Sequence, residues 1–338
     1  MSVSDKWDPA RVGVSMAIFE PRLEDLLAQL DSLEQQSLSE WVCVISSDSD
    51  ISEIMVDERF ERFFSDSRFK WIQNEKRLGV KKNFEFGIGK LLEEGVDAIA
   101  FSDQDDVWKK KKLEVSIQEL RRSGRMSAVH SDLEVIAHGR SIGNAWEIEN
   151  RAANGADFRS LIMCNSVTGC SMLMDAELVR RFPTIPDSFE FHDHWYAVMA
   201  SLHGGVYPIE EAQIEYRIHG ENVVGLEAFE GVMRPQKGRE SGGLITTTRE
   251  GALKRSRMEE DALSEAGMPE LKSLASRNRI RSVSNGFGSL WGFSVNWIKG
   301  NGGLARAYLG HSIGSFLNAF LGLTRNKRVP PGGHGHDA

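Results

Sequence analysis

The sequence predicts an α/β fold: a mostly parallel sheet flanked by helices, followed by a helical C-terminal extension. Three observations predict it. Through the first 120 residues, short apolar runs alternate with segments of helical periodicity, the signature of βαβ crossovers. Two of those runs end directly in acidic clusters, Ser46-Ser47-Asp48-Ser49-Asp50 and Ser102-Asp103-Gln104-Asp105-Asp106. The charge is also split: residues 1–230 hold 25 Lys+Arg against 41 Asp+Glu, whereas residues 271–336 hold nine Lys+Arg and no acid.

The elements follow in order. Arg11 to Phe19 is a buried strand by its apolar, β-branched run. Pro21 opens a helix, an allowed place for proline, with Leu23, Leu26, Leu27, Leu30 and Leu33 on one face. Trp41 to Ile45 and Phe69 to Ile72 are strands, Val80 to Leu92 is a helix, Ala98 to Phe101 a strand and Leu113 to Leu120 a helix. Beyond residue 127 the pattern predicts short strands at 128–130, 135–136 and 171–174. A helix over 194–201 ends at Gly204-Gly205, and late strands follow at 206–209 and 213–217. Residues 1–230 form the expected catalytic domain, 231–248 a linker, 249–325 a charged, then basic, helical extension, and 326–338 a disordered tail.

With 41% hydrophobic and 27% charged residues the composition is that of a soluble globular protein. Cys43, Cys164 and Cys170 are too few and too scattered for a disulfide framework or a Cys-X-X-Cys zinc site. The polar N-terminus carries no apolar targeting segment, and no run of eighteen apolar residues occurs. A cytoplasmic location is therefore expected, peripheral at most on the inner face of the cell membrane.

In a parallel sheet, ligands bind at the carboxyl ends of the strands, where both acidic clusters fall. Carboxylates there suit Mg²⁺ or Mn²⁺, which takes one or two of them plus substrate phosphates. The competing reading is a solvated turn whose acids favour the next helix N-terminus. Taken alone, the two readings of Asp103-Gln104-Asp105-Asp106 are evenly matched.

Phe101 to Trp108 resembles the metal-binding motif of family 2 glycosyltransferases, especially the bacterial rhamnosyltransferase-like subgroup. The resemblance extends over residues 11–225 through Arg77-Leu78-Gly79-Val80-Lys81-Lys82-Asn83-Phe84, Asn165 to Ser171, Phe191-His192-Asp193-His194-Trp195 and Tyr216 to Gly225. It implies a GT-A fold and inverting transfer from a nucleotide-diphosphate sugar, dTDP-rhamnose or a UDP-sugar, to a glycan or lipid-linked acceptor in bacterial surface polysaccharide synthesis. It implies Asp193 as catalytic base, the competing reading being a helix N-cap. Asp105 and Asp103 become metal ligands, Asp103 also holding the ribose, with Asp106 behind them. Asp48 reads the base, although Asp50 competes for that role; Arg77 and Arg217 bind the nucleotide. His219 is either a third metal ligand or a turn residue. Gly169 lets the backbone approach the acceptor side, Asn83 is a helix-surface residue, and Trp108 and Trp195 are core or acceptor platforms.

Residues 286–323 mix aromatic and leucine residues with basic ones, as a helix lying on an anionic membrane surface would. A packing helix on the catalytic domain is the alternative. Two other functions compete. A nucleotidyltransferase would carry a Gly-rich basic loop after its first strand, and Ala17-Ile18-Phe19-Glu20-Pro21 is neither. A non-catalytic nucleotide-sugar-binding module would have no need to keep Asp103, Asp105, Asp193 and His219 together. A nucleic-acid partner is disfavoured by the acidic body.

Overall fold

The computed structural model describes residues 7–149, 156–218 and 249–267. The linker 231–248, the basic stretch 286–323 and His219 lie outside them. Contacts divide the chain into two compact units, Met1–Arg239 and Glu240–Ala338.

The first unit begins with β1 (Val12–Ile18), α1 (Leu23–Glu34) and β2 (Trp41–Ser47). Two short helices, α2 (Ser52–Val56) and α3 (Glu61–Ser65), lead to β3 (Phe69–Gln73) and the longer α4 (Val80–Glu93). Then come β4 (Ala98–Ser102), the two-residue β5 (Val107–Trp108) and α5 (Lys112–Ser123). β6 (Ala128–Ala137) and β7 (Arg140–Asn144) form a hairpin, followed by α6 (Ala145–Ile148) and α7 (Phe158–Met163). A 3₁₀ turn, Gly169–Ser171, enters β8 (Met172–Asp175), and α8 (Ala176–Arg181), α9 (His192–Leu202) and β9 (Val206–Ile218) complete the unit. In the second unit α10 (Arg249–Glu265) buries Met258, Ala262 and Leu263, which share one helical face.

The sheet runs β3-β2-β1-β4-β8-β6-β9-β5, with β7 paired to β6. Its first four strands are parallel, as the alternation predicted. β1, β2 and β4 are buried on both faces, with α1 on one side and α4 on the other, whereas β3 at the edge is only partly buried. Val12, Val14, Met16 and Ile18 face the same core as Leu26, Leu30 and Leu33 of α1. Each such side chain contributes about 2 kcal/mol on burial.

The second half of the sheet is mixed. β8 is antiparallel to β4, pairing Ala98 with Asp175 and Ala100 with Leu173. β6 is antiparallel to β8 and parallel to β9, and β9 is antiparallel to β5. Two pairs of predicted short strands are single long ones, β6 and β9, which pair with each other along most of their length. Their polar residues broke the apolar pattern without breaking the ladder, and the register shifts near Asp132 absorb the irregularity.

The junction of α9 and β9 is tightly packed. A Cβ on Gly204 would stand 2.3 Å from the Arg125 carbonyl oxygen and 2.6 Å from the Ser127 nitrogen. Those backbone atoms sit in the approach to β6 and cannot swing aside as a flexible side chain can. We expect Gly204→Ala to lower stability by about 2–4 kcal/mol, read as a lower midpoint in chemical denaturation.

Candidate active site

The parallel half delivers three strand ends to one edge. The register sets Ile18 beside Ser47 and Met16 beside Ser102. Asp48 donates its backbone N–H to the Ile18 carbonyl at 2.9 Å. Its carboxylate accepts from Asn74 Nδ2 (2.8 Å), Leu78 N (3.0 Å) and Gly79 N (2.7 Å). Asp48 therefore fixes the loop that carries Arg77 into α4. Gly79 there has φ +80°, which only glycine adopts without strain. Asp50 is exposed and accepts from the backbone N–H and hydroxyl of Ser52, closing the turn into α2. Of the two acids, Asp48 is the one built into the site.

Asn83 is not a surface residue. It is 2% exposed, donates to the Ser46 carbonyl at 3.0 Å and accepts from Asn74. A helix-face count misses it because α4 is covered by the sheet on that side. Arg77 is exposed, and its guanidinium lies 3.9 Å from the centre of the Phe19 ring. Phe19 was read only as the end of a strand.

At the end of β4, Asp103 and Asp105 are half-buried and Asp106 is 1% exposed. Burial, reinforced by the charges of Asp105 and Asp193, pushes the Asp103 carboxyl up to about 7. Asp106 is raised well above the usual carboxylate range by burial and then by Asp103 and Asp105. The antiparallel return of β8 brings the 3₁₀ turn to this point. Asp103, Asp106 and Cys170 each place a ligand-capable atom within 4.8 Å of the other two. Cys170 is buried and its thiol is pushed up, first by burial and then by Asp106 and Asp103.

Sequence reasoning missed Cys170 and Lys112. Lys112 is fully buried at the start of α5, its Nζ 3.7 Å from the centre of the Trp108 ring. Burial pulls it down to about 8, against the opposing charges of Cys170 and Asp106. The Lys112 ammonium has no hydrogen-bond partner among the described residues. The Cys170 thiol is hydrogen-bonded to the Asp106 carboxylate. A lysine in the run Lys109-Lys110-Lys111-Lys112 reads as solvated, and only the helical phase of α5 singles one out.

β9 completes this side. Its pairing of Val107 with Glu215 carries Tyr216 and Arg217 to Asp106. Tyr216 is raised by burial and then by the charge of Asp106. Arg217 Nη1 holds Asp25 Oδ1 of α1 at 3.2 Å, and its charge lowers Asp106.

The fourth acid comes from α9. Asp193 is the second residue of that helix, inside its first turn; the N-cap position is Phe191. Its Oδ1 accepts from His194 N at 2.6 Å, and Gly169 N and the Asn165 side chain also donate to it. Burial nonetheless raises it to about 6. A Cβ on Gly169 would lie 3.5 Å from Asp193 Oδ2 and 3.1 Å from His192 Nε2, so the glycine lets the 3₁₀ turn pack closely against the start of α9. His192 and His194 diverge. His192 is buried between Phe84 and Phe101, with centroids at 3.8 and 4.3 Å, and burial lowers it to about 3. His194 Nε2 lies 2.7 Å from the Leu161 carbonyl oxygen. Trp108 and Trp195 are core residues, 2% and 0% exposed, rather than acceptor platforms.

The carboxylates of Asp103 and Asp106 offer oxygen donors that would suit a hard divalent cation, and the charge of Asp105 acts on both. The Cys170 thiol, held neutral, is not a hard ligand.

Comparison with known proteins defines the class. Residues 18–176 match the family description Glycosyl transferase family 2. The chain aligns over 120 residues, at 22% identity, with a bifunctional glycosyltransferase, pgtA, of Dictyostelium discoideum; that covers 36% of this chain and 16% of the relative. The structure superposes on S. aureus TarS 1-349 with a TM-score of 0.51 and 14% identity. On the same protein in complex with UDP-GlcNAc the TM-score is 0.50 and the identity 13%. Both superpositions cover 88% of this chain and 90% of the other. The fold is GT-A, and residues 18–176 are similar to a family 2 glycosyl transferase domain; the chain spans 16% of the length of the Dictyostelium relative.

Asp106 and Lys112 are both buried, and the charge of Asp106 raises Lys112, so a double-mutant cycle should read a coupling of about 0.5–3 kcal/mol between them. Asp106→Asn and Lys112→Met should each lower the thermal midpoint by several degrees. The double variant should lie closer to wild type than the sum of the two losses, as a double-mutant cycle will read.

Proposed function

We propose that this chain is an inverting, metal-dependent glycosyltransferase that moves a sugar from a nucleotide diphosphate to a glycan or lipid-linked acceptor in bacterial surface polysaccharide synthesis. The observation that carries this reading is the juxtaposition of Asp193 with Asp103: a raised, partly uncovered carboxylate faces the acidic turn at the end of β4. One acid group is placed to take a proton, and the others to hold a cation and ribose.

In this reading the acceptor hydroxyl enters over Gly169 and its oxygen attacks the anomeric carbon. The new C–O bond forms as the bond to the diphosphate oxygen breaks, inverting the centre, and the hydroxyl proton passes to Asp193. Mg²⁺ or Mn²⁺ at Asp103 and Asp105 would neutralise the departing diphosphate; His219, outside the described residues, is proposed as a third ligand. Asp103 also holds the ribose. Arg217 is proposed to bind phosphate oxygens, exchanging its Asp25 partner for them. Phe19 and Arg77 line the base end, where Asp48 acts by fixing the loop or by reading the base directly. A UDP-sugar is supported by the TarS complex with UDP-GlcNAc; dTDP-rhamnose rests on the motif resemblance.

The test is transfer from a panel of UDP-, dTDP- and GDP-sugars with and without Mn²⁺, the product's anomeric configuration being read by NMR. Asp193→Asn should lose about 10²–10⁴-fold in kcat; full activity would sink the base assignment. For the wild type, the rate should rise with pH through about 6, as Asp193 becomes ionised. Linkage runs the other way. A carboxyl raised in the fold binds its proton more tightly than in the unfolded chain, so its contribution to stability falls as pH climbs from the ordinary carboxylate value to about 6. Asp193→Asn should therefore be at least as stable as wild type at pH 7.

The domain plan of residues 1–230, 231–248, 249–325 and 326–338 is retained as part of the proposal. The acid-free stretch 286–323 is proposed to dock on an anionic membrane surface, consistent with a cytoplasmic enzyme on the inner face. No helix among the described residues is long and apolar enough to cross a membrane. Deleting residues 286–338 should reduce sedimentation with phosphatidylserine vesicles, and undiminished sedimentation would refute the docking.

A further inference from the structure

Gln104 occupies the middle of the acidic turn, between Asp103 and Asp105. Its side chain reaches across to the exit of β1. Gln104 Oε1 accepts from Phe19 N at 2.9 Å, and Gln104 Nε2 donates to the Phe19 carbonyl at 3.3 Å. One amide thus satisfies both backbone groups of one residue, 85 positions away in sequence. The parallel register makes this reach natural: Met16 sits beside Ser102, so Phe19 and Gln104 leave the sheet side by side.

The backbone held there is strained. Glu20, the next residue, has φ +44°, a conformation that costs a non-glycine residue about 1–2 kcal/mol. Its N–H is held by Ser49 Oγ at 2.9 Å. A left-handed non-glycine residue persists when its surroundings over-determine it. Here the surroundings are Gln104 on one side and the Asp48–Ser49 loop on the other. What the strained turn displays is the Phe19 ring, against which Arg77 stacks at 3.9 Å. Arg77 in turn belongs to the loop fixed by Asp48 through Leu78 and Gly79.

We infer that Gln104 is a positioning residue that couples the two ends of the donor site. It ties the turn carrying Asp103 and Asp105, at the diphosphate end, to the Phe19–Arg77 wall at the base end. The inference rests on the nucleotide-sugar reading above and adds that the two halves of that site are set by one side-chain amide. Gln104 touches neither the reacting atoms nor the acceptor. Its loss should therefore weaken donor binding while leaving the chemical step of bound donor little changed.

The experiment measures UDP affinity by calorimetry in the presence of Mn²⁺, with dTDP and GDP in parallel, for wild type, Gln104→Leu, Gln104→Met, Arg77→Ala and Gln104→Leu/Arg77→Ala. Both Gln104 variants keep the volume and lose the two hydrogen bonds, and thermal unfolding confirms that each is folded. We expect at least tenfold weaker UDP binding for each, equivalent to 1.4 kcal/mol, a matching rise in donor KM, and kcat within threefold of wild type. In the Arg77→Ala background the same change should cost threefold or less, because both residues act through Phe19. Unchanged affinity in folded Gln104→Leu and Gln104→Met would overturn the inference, as would losses at Gln104 and Arg77 that simply multiply. A wild type that binds none of the three nucleotides would overturn the nucleotide-sugar reading itself, and the role of Gln104 with it; a wild type that binds UDP keeps the two failures apart.

Discussion

The burial of a cluster of carboxylates dominates this protein. Asp103, Asp105, Asp106 and Asp193 are gathered at the end of one buried strand, where removal from water raises the cost of each charge. Asp103 and Asp193 are both pushed toward neutrality, Asp103 further, because it faces Asp105 and Asp193 together. Such an arrangement is costly to fold and is tolerable because compensating charge is built in. Lys112 lies beneath the cluster and Arg217 beside it. A divalent cation on the open side would complete the balance, a physical argument for the proposed metal dependence that is separate from any family likeness.

The fold makes that gathering possible by changing direction. The parallel half lines up the exits of β1, β2 and β4, as in any doubly wound sheet. The antiparallel return of β8 beside β4 then delivers Gly169 and Cys170 to the same edge. β9, antiparallel to β5, delivers Tyr216 and Arg217. Gly169 lets α9 come close enough for Asp193 to join. The mixed half of the sheet closes the site that the parallel half opens.

Polar side chains on the loops at the strand ends hold this edge of the sheet in shape. Asp48 spends both carboxylate oxygens on Asn74, Leu78 and Gly79. Gln104 spends its amide on Phe19. These are long-range bonds between loops at strand ends, the places where backbone N–H and C=O groups leave the ladder and need other partners.

The local signals were read correctly where chemistry depends on neighbours in the chain. Apolar runs marked β1 to β4, periodicity marked α1, α4 and α5, and the strand-to-acid junctions marked the edge where the site lies. The motif resemblance singled out Asp193, but the sequence placed it just before the helix, whose start lies two residues earlier than expected. Other facts were not legible. Lys112 looks like its three exposed or half-exposed lysine neighbours, and only burial against Trp108 sets it apart. Cys170 looks like an isolated small core residue until β8 turns back along β4. Asn83 looks like a helix-surface amide until the sheet covers it. The chain alone determines which residues carry charge and which segments bury themselves. Which charges meet is decided by strand direction and order, because electrostatic energy depends on distance in space and desolvation, neither of which sequence separation measures.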